Sequence, residues 1–103
     1  MGTFDVSEDA LADMDEIRSY VARDSQFHAG RLIERFYEKF GMLAQHPDMG
    51  RERKEFPSWY RSFPSGNYSI FYRPTEHGIK IFRVVHQARD VGRVLTSESG
   101  DEE

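Results

Sequence analysis

Cysteine is absent from the 103 residues, which removes disulfides, zinc-thiolate centres and thiol nucleophiles together and fits a reducing compartment. No apolar run approaches the roughly 18 residues of a membrane-spanning helix, and no secretory apolar region is found. Met1-Gly2-Thr3-Phe4-Asp5-Val6 opens like a myristoylation signal, but Val6 stands where serine or threonine is required. His28, His46, His77 and His86 have no helical i, i+4 partner and no carboxylate at ligand spacing, so neither a metal nor a cofactor is expected. A glycine-rich phosphate loop and a nucleophile-elbow serine are also missing. The expectation is one cytoplasmic domain over residues 1–95 with no membrane contact. Residues 96–103 contain no apolar side chain and read as a disordered acidic tail.

What is present is unevenly distributed. The net charge is −4, yet residues 1–50 carry five Lys/Arg against ten Asp/Glu, and residues 51–94 carry nine against four. Charges act over a neighbourhood of about 10 Å in salt, so the basic half can attract an acidic protein or nucleic acid although the whole chain is acidic.

Apolar residues recur at three- and four-residue steps from about Glu8 to Arg23, as Leu11, Met14, Ile17 and Val21. Asp13, Asp15, Glu16 and Arg18 fall outside that stripe, and Ser7 is placed to cap the helix. A second stripe, Ala29, Leu32, Ile33, Phe36, Phe40 and Leu43, follows a cap at Asp24 or Ser25 and runs to about Gln45. Gly41 inside it predicts a bend or a close contact. Pro47 stops the helix, and Arg51-Glu52-Arg53-Lys54-Glu55 reads as an exposed loop or last helical turn.

From Trp59 the period changes to two. Three antiparallel strands are expected, Trp59 to Phe63, Tyr68 to Arg73 and Ile79 to Val85, with turns at Pro64-Ser65-Gly66-Asn67 and Pro74-Thr75-Glu76-His77-Gly78. Strict alternation puts Phe71, Phe82 and Val84 on the face opposite Ile70 and Ile81. One face is expected under the helical hairpin, and the other, near Tyr60, Ser69 and Arg73, is open to a partner segment.

Three stretches carry a resemblance: Pro47-Asp48-Met49-Gly50-Arg51, Arg61-Ser62-Phe63-Pro64 through Tyr68-Ser69-Ile70-Phe71-Tyr72-Arg73, and Arg83-Val84-Val85-His86 through Ala88-Arg89-Asp90. In this order, over a helical hairpin, they resemble the ParE-type branch of the RelE/ParE toxin superfamily. The implied fold is α+β, a short N-terminal strand and an α-helical hairpin packed on a small antiparallel sheet in the order β-α-α-β-β-β. The implied function is that of a toxin neutralised by a cognate antitoxin, with DNA gyrase as the target and DNA reached only through the antitoxin. The target or antitoxin surface would be drawn from Tyr60, Arg61, Arg73, Arg83, His86, Arg89 and Asp90, with His86 and Arg89 close to Arg61 and Arg73.

RelE-type relatives cut messenger RNA, a reaction that needs a base, cations on the scissile phosphate and an acid for the leaving oxygen. Here Ser69 stands where that branch has an arginine, the Trp59 to Phe63 strand has no lysine, and no tyrosine follows Val91. Arg61, Arg83, His86 and Arg89 remain the only basis for an RNase reading. A protein-interaction module without toxicity is the third alternative. The arginines also suit a plain role in keeping strand edges soluble.

Overall fold

The computed structural model describes residues 2–56 and 60–88. Trp59, Arg89, Asp90 and the acidic tail, on which several expectations rest, lie outside the described residues.

The chain begins with a strand, β1 (Thr3–Val6), and enters α1 (Glu8–Ala22) through Ser7. The Ser7 hydroxyl accepts the Ala10 N–H at 3.0 Å and donates to the Phe82 carbonyl at 2.9 Å, so one side chain caps the helix and ties it to the last strand. Glu8 and Asp9 put negative charge against the N-terminal end of the helix dipole. The second helix, α2 (Gln26–Gln45), is capped by Ser25, whose hydroxyl accepts the His28 N–H at 3.1 Å. It runs through Gly41 without interruption, and a Cβ there would meet nothing within 4 Å, so the expected close contact is not made.

A 3₁₀ turn at Pro47–Met49 leads into a strand, β2 (Arg51–Arg53), where the sequence predicts an exposed loop or last helical turn. Its residues are all charged, and the strand exists because β3 (Tyr60–Ser65) offers its edge: Arg51 pairs with Ser62 and Arg53 with Tyr60. β4 (Tyr68–Pro74) and β5 (Gly78–His86) complete the meander. The first turn is tighter than expected. Pro64 and Ser65 stay in β3 opposite Ser69 and Tyr68, leaving Gly66 and Asn67 to reverse the chain, with Gly66 at φ 60°.

The sheet order is β1-β5-β4-β3-β2, antiparallel except that β1 runs parallel to β5. The α+β fold therefore stands, with a mixed sheet of five strands. Both helices cover one face, where Phe36, Phe40, Leu43, Ile70, Tyr72 and Ile81 are fully buried. Each such side chain contributes about 1.5–3 kcal/mol by leaving water. A smaller cluster of Tyr60, Phe71 and Val85, flanked by Phe56 and Phe82, occupies the other face.

Alternation fails at one place. Tyr72 pairs with Ile81 but Phe71 pairs with Arg83, so Phe82 is the extra residue of a β-bulge. Phe71 and Phe82 do face away from the helices, whereas Val84 is returned to the helical side and packs in the main core. The expectation for Val84 is corrected by that single inserted residue.

Candidate functional site

The bulge also aims Arg83. Its Nε and Nη2 donate to Asp13 Oδ2 and Oδ1 at 2.8 and 2.9 Å, and Asp13 Oδ2 accepts the Val84 N–H at 2.9 Å. The two side chains are only 18% and 11% exposed. Asp13, which falls outside the apolar stripe read from the sequence, is thus the anchor that joins α1 to β5. The true buried stripe of α1 contains Ala10 and Met14, and Leu11 lies outside it at 47% exposure.

Arg61 is engaged just as fully. Its Nη1 donates to the carbonyls of Gly50 at 2.6 Å and Asp48 at 3.2 Å, and its Nη2 lies 3.2 Å from Glu52 Oε2. Tyr72 completes this arch, its hydroxyl donating to the Pro47 carbonyl and accepting the Gly50 N–H, both at 2.8 Å. Burial pushes the Tyr72 phenol above its ordinary pKa, and the Gly50 N–H and Arg61 oppose that in part. A Cβ on residue 50 would sit 2.3 Å from the Tyr72 hydroxyl, so glycine is needed for the close approach.

His86 stands at the far end of the sheet. It pairs with Tyr68, their rings meeting edge to face at 5.1 Å, and its Nδ1 accepts the Ala88 N–H at 3.0 Å. Tyr68 in turn meets Phe36 at 5.7 Å, and burial raises its phenol pKa. Arg61 and Arg73 belong to the other end of β4, opposite or beside Tyr72, four to five residues away and hence about 13–17 Å along the strand. The expected cluster of His86 with Arg61 and Arg73 is not formed.

Tyr60 is 4% exposed, packed against Phe82 and Phe71, and so is a core residue rather than a contact surface. Arg73 lies with its guanidinium 5.1 Å from the Phe82 ring. Among the described residues no group of three His, Asp or Glu is placed to hold a metal, and no helix is long and apolar enough to cross a membrane.

What the structure adds is an open groove of about 810 Å³ between the hairpin and the β4–β5 end of the sheet. Ile17, Val21 and Leu32 form one wall and Tyr68, Val84 and His86 the other, with Asp13, Glu16 and Tyr20 at the rim. Tyr20 is 67% exposed. Of the surface expected from the sequence, His86 lines this groove, whereas the open sheet face near Tyr60, Ser69 and Arg73 lies on the other side. The available signal for the groove was Tyr20 beside the apolar stripe, but the parity change at Val84 that builds the second wall is invisible without the bulge.

Residues 4–91 match the family model of the ParE toxin of type II toxin-antitoxin systems, parDE. The chain is 32% identical over 89 residues to Toxin ParE1 of Caulobacter vibrioides, covering 85% of this chain and 92% of that protein. Its fold is similar to a chain of the chromosomal ParDE toxin–antitoxin system from P. aeruginosa, with a TM-score of 0.69 and 24% identity over 84% of this chain and 96% of the other. The matched span contains both helices and every strand of the sheet from Phe4 onward, and the chain belongs to the ParE toxin family of type II toxin–antitoxin systems.

Proposed function

We propose that this toxin acts in the cytoplasm by binding and inhibiting DNA gyrase, and that its antitoxin neutralises it by filling the groove between the hairpin and the β4–β5 end. Membership of the ParDE family implies the antitoxin partner. The observation that carries the mode of action is the disposition of the polar candidates. Arg83 is held by Asp13, Arg61 by the Pro47–Gly50 turn, and His86 lies at the opposite end of β4. RNA cleavage needs base, cation and acid converging on one phosphate, and these three residues point to separate tasks. The groove has the apolar walls that an amphipathic helix fills.

The test is pulse-labelling of DNA and protein synthesis within minutes of inducing the toxin alone, followed by a supercoiling and DNA-cleavage assay with purified gyrase. An early stop in DNA synthesis with gyrase inhibited in vitro is the expected result. An early stop in translation would replace this reading by RNA cleavage, and unaffected synthesis of both would replace it by a non-toxic binding module.

A further inference from the structure

We propose that the outer face of the helical hairpin binds a second copy of this chain, through Leu11, Asp15 and Arg18 of α1 and Tyr37 of α2. The proposal needs neither gyrase nor antitoxin and is independent of both readings above.

Helical spacing assembles the face. Leu11, Asp15, Arg18 and Ala22 follow one another at steps of four, three and four residues, so they form one stripe along α1. The buried Ala10 and Met14 lie to one side of it, and Tyr20, at the groove, lies about half a turn away. Leu11, Asp15 and Arg18, with Ile33 and Tyr37 of α2, border a shallow depression of about 160 Å³ between the helices. Leu11 is 47% and Tyr37 39% exposed. The Tyr37 ring meets that of Phe4, itself 37% exposed, at 6.1 Å, which extends the apolar patch to the edge of the sheet.

The order of charges selects the occupant. Asp15 and Arg18 are both exposed, and among the described residues neither side chain makes an ion pair or hydrogen bond, not even with the other at i, i+3. An acid and a base in the middle of the stripe make it self-complementary. A second α1 laid antiparallel, about a twofold axis passing between Asp15 and Arg18, sets Asp15 against the partner's Arg18 on each side of that axis. The same operation sets Leu11 against the partner's Ala22, a side chain small enough to admit it. A partner carrying one sign of charge would satisfy only half of this pattern. The face measures about 22 Å along α1 and about 20 Å across the two helices, or roughly 400 Å² per copy. Stable complexes use about 800 Å² per partner, so the dimer forms and dissociates with concentration rather than being permanent.

The experiment is analytical ultracentrifugation of the full chain alone, from about 5 to about 500 µM. The mass is expected to rise from one chain toward two. Asp15→Arg and Arg18→Asp each place like charges at both symmetric contacts, and each is expected to weaken association at least about tenfold. In an equimolar mixture of these two variants each supplies the charges that the other lacks, so the dimer is expected to return. Circular dichroism checks that each variant keeps its helices. Leu11→Ser is also expected to weaken association, and Tyr20→Ala to leave it unchanged. A chain that stays monomeric over the whole range overturns the proposal. So does a dimer indifferent to both reversals, or a mixture no more associated than its components. A chain monomeric throughout whose Asp15→Arg variant binds the antitoxin more weakly would assign the face to the antitoxin instead.

Discussion

Asp13 and Arg83 meet in a two-point ion pair across 70 residues of chain, and the same carboxylate accepts the backbone N–H of Val84. One side chain of α1 thereby holds both the cation and the strand that follow the bulge. Asp13 also forms part of the groove rim, so the pair fixes how far the hairpin stands from the sheet.

Asp13→Ala would leave a nearly buried guanidinium without its carboxylate and the Val84 N–H without its acceptor. A loss of about 3–5 kcal/mol is expected, the range for breaking a buried pair by removing one partner. Urea denaturation measures it, and the double variant Asp13→Ala, Arg83→Met is expected to recover a substantial part by removing the cation together with its carboxylate.

Tyr72→Phe deletes the hydroxyl that bridges Pro47 and Gly50, with an expected cost of about 1–3 kcal/mol from the polar groups left behind. The pH dependence has a definite sign. Burial raises the folded pKa of Tyr72 and Tyr68 above the unfolded value, so the folded state retains protons that the unfolded state releases. Their contribution is full below about pH 10 and is lost as pH rises through the folded values. Thermal melts across alkaline pH are expected to fall beyond that point, and less steeply in Tyr72→Phe.

Arg61→Ala removes two hydrogen bonds that hold the turn before β2 and a third to Glu52 within that strand. Each is worth about 0.5–1.5 kcal/mol, more where the charge helps. The expected outcome is a lower melting temperature together with reduced toxicity. Loss of toxicity at an unchanged melting temperature would instead make Arg61 a direct contact of the target.

Gly30 and Gly41 lie inside α2, where a Cβ would meet nothing within 4 Å. Gly30→Ala and Gly41→Ala are each expected to stabilise the protein by about 0.5–1 kcal/mol through helix propensity and reduced unfolded-state freedom. Chemical denaturation of the single variants is the check.

Tyr20→Ala addresses the groove. The side chain is 67% exposed, so stability should change by less than about 0.5 kcal/mol. If the antitoxin occupies the groove, its affinity should fall about tenfold or more, as for an aromatic anchor at an interface. Calorimetric titration with the antitoxin distinguishes this from an unchanged affinity, which would place the antitoxin elsewhere.

The helices were legible because their signals are local. Ser7 and Ser25 cap within three residues, and Pro47 ends α2 within two. The meander was legible for the same reason, its alternation running between short turns and broken only at the bulge of Phe82. The missing parts depend on residues distant in sequence. β2 is made by the edge of β3 rather than by its own charged residues, and the Asp13–Arg83 pair needs a bulge that no spacing announces. The sequence offered the arginines as a target or antitoxin surface. Arg61 and Arg83 carry structural contacts that the sequence presented as available charge, while Arg89 and Asp90 lie outside the described residues.

The parallel pairing of β1 with β5 bears on how the toxin is made. Phe4 to Val6 find their strand partners only at Ile79 to Ile81, so the ribosome must deliver most of the chain before the sheet's first edge can close. The helical hairpin, built from local contacts, can form long before that moment, whereas pairing across so long a loop is slow. A nascent chain therefore presents its hairpin while it still lacks the finished sheet, and an antitoxin that recognises the hairpin wall could engage the toxin before it is fully folded.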